Sequence, residues 1–292
     1  MKRHLYLLTL ILASNIAHGQ VKLFEPDLIS DNQSFGLTIS PNGKEIFFVK
    51  SFGGRDTLQI YYSMKVKGKW QKPKLAPFAD TKFRQIDPAF SPDGNSVLYN
   101  ILTSNENSFD IFITNKTSMG WSMPERLSDS LNTNSSDFYA TISNNKNIYF
   151  TRRTKSNDIY VSYFVDNKYQ KALLLDKTIN TERNESNPYI STNEDFIIFF
   201  ADYENGYGDT DLYISFKKQN KWSYPINLGD EINSKIGEFC PSIDLKNKLF
   251  LFSRTEVING KRIENIFTYP LKKLHLKKLK KSFQLGTNKG IS

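Results

Sequence analysis

The sequence has few of the residues that carry metal and thiol chemistry. Its 292 residues include one cysteine, Cys240, and three histidines, two of which stand within the first nineteen residues. A single cysteine excludes an internal disulfide and a CxxC redox pair, and the remaining His275 cannot by itself build a zinc site or a Ser-His-Asp triad. Because the neighbours of Cys240 are apolar, we expect a buried structural thiol. An enzyme of this composition would rely on carboxylates or tyrosines.

Long hydrophobic runs are also missing. The first apolar run, residues 5–16, is shorter than the roughly 20 apolar residues that span a bilayer, and no later run is long enough. The run at residues 5–16 follows a positively charged start and precedes the small residues Ala17 and Gly19. This arrangement is typical of a secretory signal peptide cleaved before Gln20. No cysteine follows the cleavage point, so we predict a periplasmic or secreted bacterial protein that is not a lipoprotein. The predicted parts are a signal peptide at 1–19, a main domain at 20–270 and a basic tail at 271–292.

The C-terminal end lacks negative charge. Residues 268–292 hold seven lysines and no Asp or Glu, and two more cations lie in the predicted signal peptide. The formal net charge of +9 therefore comes from the two ends, and residues 20–267 are neutral, with thirty cations and thirty anions. This excludes a nucleic-acid-binding surface spread over the main domain. We expect the tail to be a solvated terminus, the alternative being contact with an anionic lipid or glycan surface.

The main domain contains five copies of one pattern. In each copy an apolar strand ends at a turn anchor, and successive turn anchors are 51, 52, 48 and 53 residues apart. A second anchor, an Ile or Leu flanked by polar and aromatic residues, recurs with nearly the same spacing. An aromatic residue follows ten positions later in four copies. The turn anchors are Ser40, Ser91, Ser143, Ser191 and Asp244; the second anchors are Ile60, Ile111, Ile159, Leu212 and Ile266; the aromatics are Trp70, Trp121, Tyr169 and Trp222.

A period of about 50 residues, built from short apolar strands and Pro-Asn-Gly or Pro-Asp-Gly turns, is typical of a propeller blade of four strands. We therefore predict an all-β, five-bladed β-propeller of antiparallel blades, and a monomer. Residues 23–28 match the last-strand pattern and should complete the blade that residues 237–268 begin. The alternative closing segment is 274–279. Closing the ring leaves only short, protected strand edges.

Particular motifs resemble a known family. The turn Ser91-Pro92-Asp93-Gly94, the strands at 110–112 and 158–160 that begin Asp-Ile, and the Gly-x-Trp-x-x-Pro stretch at 68–73 resemble the WD-like propeller repeat of TolB and its relatives. The resemblance covers about residues 34–270, and the third to fifth copies lack the glycine of the turn. It implies a β-propeller and, from the role of TolB in envelope complexes, a protein partner.

One polar position recurs six residues before each turn anchor. If these side chains ring one mouth of the central channel, three carboxylates would converge there. Such carboxylates could coordinate a cation such as calcium, meet the basic groups of a partner, or perform acid/base chemistry on a sugar. The simpler interpretation is that they are ordinary solvated residues. The five positions are Ser34, Gln85, Asp137, Glu185 and Glu238.

The loops between the second and third strands are long and variable, and such loops on a rigid scaffold are the expected place for binding. They are predicted at 51–58, 102–109, 153–157, 202–210 and 254–264. Further candidate binding residues on this face are Lys50, Arg152, Asp202, Tyr203, Tyr207 and Arg254. The recurring Asp110, Asp158 and Asp211 and the four aromatic anchors are instead expected to bond and pack within the blades.

Two functional hypotheses follow. The first is an exported, non-enzymatic β-propeller that binds an envelope protein or a glycan, without a cofactor. The second is a carbohydrate-active enzyme that uses Asp137, Glu185 and Glu238, because five-bladed propellers with central carboxylates occur among glycoside hydrolases.

Overall fold

Strands form where the sequence places short β-branched and aromatic runs between tight turns. The structure, a computed structural model, describes residues 21–102 and 108–282. The predicted signal peptide and the last ten residues of the predicted tail lie outside the described residues.

Five main antiparallel sheets surround a central channel, each forming one blade, which confirms the five-bladed β-propeller. The N-terminal strand is β1 (Lys22–Leu23). The first blade contains β2 (Ser34–Ile39), β3 (Glu45–Phe52), β4 (Thr57–Val66), β5 (Lys69–Trp70) and β6 (Lys74–Leu75). The second contains β7 (Arg84–Phe90), β8 (Ser96–Leu102), β9 (Phe109–Thr117), β10 (Gly120–Trp121) and β11 (Glu125–Arg126). The third contains β12 (Ser136–Ile142), β13 (Ile148–Arg153), β14 (Asn157–Ser162), β15 (Phe164–Val165), β16 (Lys168–Tyr169) and β17 (Leu173–Leu174). The fourth contains β18 (Glu185–Ile190), β19 (Phe196–Ala201), β20 (Asp211–Lys218), β21 (Lys221–Trp222) and β22 (Ile226–Asn227). The fifth contains β23 (Gly237–Asp244), β24 (Leu249–Ile258) and β25 (Lys261–Pro270).

The outermost strand of four blades is broken into two short pieces, between β5 and β6, β10 and β11, β16 and β17, and β21 and β22. Three of the breaks contain a proline, Pro73, Pro124 or Pro225, which has no N–H to donate to the neighbouring strand. The break in the third blade contains no proline, so the break belongs to the repeat and proline is only compatible with it. Proline in this place also blunts an edge strand that could otherwise pair with another chain.

The N-terminal strand closes the ring, as predicted, but the paired segment is shorter and earlier than the predicted 23–28, because the chain turns after Phe24 with positive φ at Glu25 and Asp27. β1 pairs antiparallel with β25, with Lys22 opposite Thr268, and the Phe24 N–H donates to the Ile266 carbonyl at 2.9 Å. The Phe24 ring packs against Trp70 of the first blade with ring centroids 6.1 Å apart. The alternative closing segment, 274–279, is not a strand.

The interior lies between neighbouring blades. Phe47 of the first blade, fully buried, packs against Phe90 and Trp121 of the second at centroid distances of 5.2 and 5.6 Å. Tyr149 of the third blade packs edge-on against Trp222 of the fourth at 6.3 Å. Aromatic pairs of this geometry stabilise the packing beyond the area they bury. The aromatic anchors therefore join adjacent blades.

The described part of the basic tail is folded, which corrects the expectation of a solvated terminus. A 3₁₀-helix (Leu271–Leu274) leads into α1 (Leu276–Ser282). Leu274 is buried, and Leu276 and Leu279 pack against the cluster shared by the fourth and fifth blades. The leucines hold the segment down while its lysines face outward. In the described ranges, no helix is both long and apolar enough to cross a membrane.

Each innermost strand carries a β-bulge at the same height in the channel. Its pairing with the second strand skips two residues, and one of them has a positive φ of 50–61°. The five residues in this left-handed conformation are Gly36, Asp87, Tyr139, Asn187 and Cys240. Glycine adopts this conformation without strain, and Asp and Asn tolerate it better than other residues. Tyr139 and Cys240 therefore hold the most costly backbone conformations of the five. We call these five residues the bulge ring.

Candidate functional site

The structure differs from the expectation that the recurring polar residues face the channel. Ser34, Gln85, Asp137, Glu185 and Glu238 have no exposed surface. Each lies at or near the start of an innermost strand and turns into the segment that enters its own blade. The next residue along each strand points to the opposite side of the sheet, because side chains alternate along a strand. The sequence analysis therefore placed the channel-facing position of each innermost strand one residue too early.

Asp137 and Glu238 are bound by groups of their own blades. The Thr133 N–H and hydroxyl donate to Asp137 at 2.7 and 2.8 Å, and Arg152 Nε donates to its other oxygen at 2.6 Å. Glu238 accepts the same set of bonds, from Ser234 at 3.0 and 2.6 Å and from Arg254 Nε at 2.9 Å. These predicted ligand-binding residues thus bind one another across adjacent strands.

The fourth blade replaces the arginine. Glu185 accepts from Thr181 at 2.6 and 3.1 Å, but Ala201 stands opposite it. Tyr203 donates to the Ile179 carbonyl at 3.3 Å. Arg152 and Arg254 donate to the equivalent backbone carbonyls of their own blades. Asp202 accepts from both the N–H and the side-chain amide of Asn184, at 2.9 and 2.8 Å.

The remaining predicted residues also fall outside the channel lining. Lys50 pairs with Asp31, which also accepts a hydrogen bond from Ser34 at 2.8 Å. Gln85 accepts from the Asp80 N–H at 3.2 Å. Tyr207 is half exposed, and its N–H donates to Asp211 at 2.7 Å. Lys50 and Gln85 thus bond within their own blades.

Burial raises the pKa of Asp137, Glu185 and Glu238, and the hydrogen bonds from Thr or Ser act in the opposite direction. For Asp137 and Glu238 the neighbouring arginine also favours the charged form. A buried carboxylate with these donors fixes the segment that leads into the innermost strand of its blade.

A motif that the sequence analysis missed explains this arrangement. Three blade connections read Leu-x4-Asn-Thr/Ser-x3-Asp/Glu, at 127–137, 175–185 and 228–238. The asparagine side chain clamps a third-strand residue: Asn132 accepts from the Ile111 N–H at 2.7 Å and donates to the Ile111 carbonyl at 3.0 Å. Asn180 and Asn233 do the same. The spacing was visible in the sequence and marks the blade boundary.

The channel opens on the long-loop face into a cavity of about 410 Å³. Its wall combines arginine and phenylalanine side chains from all five blades. They are Arg55, Arg84, Arg153 and Arg262, with Phe35, Phe109, Phe138, Phe200 and Phe239. We call this set the arginine mouth. Three of its arginines lie in or at the edge of the segments predicted as long loops, although none was singled out as a candidate. Arg55 does lie in a loop, but Arg153 ends β13 and Arg262 lies in β25. The predicted loop at 254–264 is wrong, because β24 and β25 pair up to Ile258 and Lys261.

Phenylalanine rings support two of the arginines. The Arg55 guanidinium lies 4.7 Å from the centroid of Phe35 and 5.6 Å from that of Phe239, and the Arg153 guanidinium lies 5.2 Å from that of Phe138. Such cation–π contacts orient the guanidinium groups and leave N–H groups free at their edges.

The arginines differ in their polar partners. Arg55 pairs with the buried Glu264, with Nε at 2.9 Å from its carboxylate. Within residues 21–102 and 108–282, Arg84, Arg153 and Arg262 have no carboxylate partner. They donate to neutral oxygens, of the Asp56 backbone at 3.1 Å, Asn157 at 3.0 Å and Thr255 at 3.2 Å.

Asp87, in the bulge ring, lies at the base of the arginine mouth. It also lines a smaller cavity of about 170 Å³ that opens on the opposite, Ser-Pro-Asp-Gly face of the channel. Burial raises the pKa of Asp87 to about 7, and the charge of Arg55 partly opposes this. Asp87 is therefore a mixture of acid and carboxylate near neutral pH.

The rest of the bulge ring closes the channel around Asp87. Cys240 is buried, as its apolar neighbours predict, and burial raises the pKa of its thiol. The Tyr139 hydroxyl donates to the Pro241 carbonyl at 2.9 Å. In the described part of the chain, no group of three or more His, Cys, Asp or Glu side chains is placed to hold a metal ion.

Comparisons with known proteins bear on the fold. No protein-family model and no curated protein sequence matches the chain. Among solved structures, a TolB candidate from Agrobacterium tumefaciens is 13% identical, with a TM-score of 0.53 over 82% of this chain and 83% of its own. An endo-arabinase from Bacteroides thetaiotaomicron is 12% identical, with a TM-score of 0.54 over 83% and 94%. An α-L-arabinofuranosidase from Lactobacillus brevis is 9% identical, with a TM-score of 0.53 over 84% and 92%. At these identities the likeness shows a shared fold alone.

Proposed function

We propose that the protein is an exported, non-enzymatic β-propeller that binds a partner molecule through the arginine mouth, in the cell envelope. The observation that carries the proposal is the lining of this mouth: basic and aromatic side chains on rigid strand ends and loops, with three arginines free of carboxylates in the described residues. Arginine and aromatic residues are enriched where proteins bind partners.

The three carboxylates proposed for chemistry support the same function. A glycoside hydrolase needs two carboxyl groups facing one sugar, about 5–10 Å apart. Asp137, Glu185 and Glu238 are instead buried and bound to their own blades. The TolB candidate shares the propeller fold. The resemblance of the repeat motifs to the TolB family, whose role is in envelope complexes, supports a binding propeller.

Blocking one end of the channel tests the proposal. Thr255→Trp places a bulky ring in the arginine mouth, and Thr192→Trp places the same ring at the opposite opening as a matched control. In affinity capture from envelope extracts of the source cells, we expect a partner that wild type and Thr192→Trp recover and Thr255→Trp loses. Loss in Thr192→Trp alone would contradict the proposal.

Glycoside hydrolysis is the second candidate, favoured by one observation. Asp87 is a buried carboxyl group in the channel whose pKa of about 7 suits a general acid. Two structural neighbours are an endo-arabinase and an arabinofuranosidase. Release of sugar from arabinan or xylan, abolished in Asp87→Asn but kept in the exposed Asp56→Asn, would establish this function instead.

A further inference from the structure

The charge of the arginine mouth indicates the class of its ligand. Four guanidinium groups line the cavity. Among its lining residues in the described part of the chain, Asp87 at the base is the one carboxylate, and Glu264 behind the wall pairs with Arg55. The remaining lining residues are neutral. A concave wall with excess charge of one sign concentrates its field and attracts ligands of the opposite sign. An anionic ligand is therefore expected.

The placement of the arginines sets the size of that ligand. Arg84 belongs to the second blade, Arg153 to the third and Arg262 to the fifth, so they approach the cavity from three sides. All three are exposed at its rim. A single small anion cannot occupy every position at once, whereas an extended ligand with several carboxylates can. Guanidinium groups bind carboxylates through two parallel hydrogen bonds.

The aromatic residues favour a peptide over an acidic sugar. A sugar stacks on the open face of an aromatic ring, but Arg55 and Arg153 already lie over Phe35, Phe138 and Phe239. Phe109 and Phe200 remain as apolar surface in the wall. A wall of arginine edges and apolar surface fits alternating acidic and apolar side chains.

Resting on the proposed function, we propose that the arginine mouth recognises an acidic peptide segment, with its carboxylates at Arg84, Arg153 and Arg262 and an apolar side chain against Phe109 and Phe200. Asp87 lies where the end of such a segment would reach the bulge ring, and it can accept a hydrogen bond from a backbone N–H.

Two labelled peptides that differ in charge test this. We expect fluorescence anisotropy to show the hexapeptide (Glu-Phe)3 binding the purified protein at least about tenfold more tightly than (Gln-Phe)3 at low salt. The double variant Arg84→Gln, Arg153→Gln should reduce this preference to less than about threefold. The matched control is Arg183→Gln, Lys235→Gln, which removes two exposed cations outside the lining and should keep the preference.

Each other outcome overturns the inference. Equal binding of the two peptides would exclude anion recognition. If the control variant lost the preference for (Glu-Phe)3 as much as the double variant does, the preference would come from the overall charge of the protein and not from the arginine mouth. Tighter binding of trigalacturonate than of (Glu-Phe)3 would assign the site to an acidic sugar. If Thr255→Trp loses a captured partner while the peptides bind equally, the proposed function stands and only the acidic-peptide inference fails.

Discussion

At the scale of single residues, arginines in this protein serve two different purposes. Arg152 and Arg254 are largely buried and bind the carboxylates of their own blades, at 2.6 and 2.9 Å. Arg84 and Arg262 are exposed in the arginine mouth and contact neutral oxygens. Sequence alone placed Arg152 and Arg254 among the binding residues because both purposes use the same residue type on the same face of the propeller.

Removing Arg254 should destabilise the fold. Arg254→Leu leaves the Glu238 carboxylate buried without its cation, and breaking a buried pair in this way costs about 3 kcal/mol. Urea denaturation should show this loss in the free energy of unfolding. Arg262→Leu, whose arginine is exposed, should cost less than about 1 kcal/mol. Equal losses in the two variants would refute the structural role of Arg254.

Asp87 should make the stability depend on pH. Its pKa is raised from 3.8 to about 7 on folding, so the folded state binds the proton more tightly than the unfolded state. The free energy of unfolding therefore falls as pH rises from about 4 to about 7, by an amount on the order of 4 kcal/mol at about 1.4 kcal/mol per pKa unit.

The comparison of variants isolates this effect. Asp87→Asn should lack the contribution of Asp87 and gain stability relative to wild type above pH 7, as measured by urea denaturation between pH 4.5 and 8. Asp56→Asn, at an exposed position, should follow wild type. A constant difference between Asp87→Asn and wild type at every pH would contradict the raised pKa.

At the scale of strands, the sequence predicts pairing better than side-chain direction. The period of the anchors and the Leu23 position foretold that β1 would complete the last blade, because each strand recurs at a fixed offset. Which residue faces the channel depends on the alternation of side chains along the strand. An error of one residue in the predicted register therefore assigns each side chain to the wrong face of the sheet. The β-bulges, which turn Asp87 and Cys240 into the bulge ring, recur four residues before each turn anchor, but the five residues there share no residue type that would reveal a bulge in the sequence.

The tail shows a second limit at this scale. Leu274, Leu276 and Leu279 form no helical stripe in the sequence, yet they pack against the fourth and fifth blades. Only the tertiary position of this segment, directly after β25, brings them to that surface.

Closure by β1 should contribute strongly to stability. Phe24→Ala removes a buried ring that packs on Trp70 across the junction of the first and fifth blades, at an expected cost of about 3 kcal/mol. Thermal unfolding should show a lower midpoint for Phe24→Ala than for Phe52→Ala, whose ring is partly exposed. Equal midpoints would mean that closure of the propeller does not depend on the contact between Phe24 and Trp70.

At the scale of the whole molecule, the channel has two unlike openings. The opening on the Ser-Pro-Asp-Gly face is small and mostly apolar, and the opening on the long-loop face is wider and basic. The pattern of the repeats predicted the face on which the second and third strands are joined, but the long loop expected at 254–264 is a β-hairpin with its turn at 259–260. It could not predict the arginine mouth, because Arg55, Arg153 and Arg262 occupy no repeated position and meet only when five blades close.

Photo-crosslinking in the source cells tests the binding role of the arginine mouth most directly. A photoreactive amino acid would replace Asn157 in the mouth, Thr192 at the opposite opening, or Met119 on the outer edge of the second blade. We predict that position 157 forms a specific crosslinked product and that positions 192 and 119 do not. A product from position 192 or 119 with none from position 157 would contradict the assignment of the site.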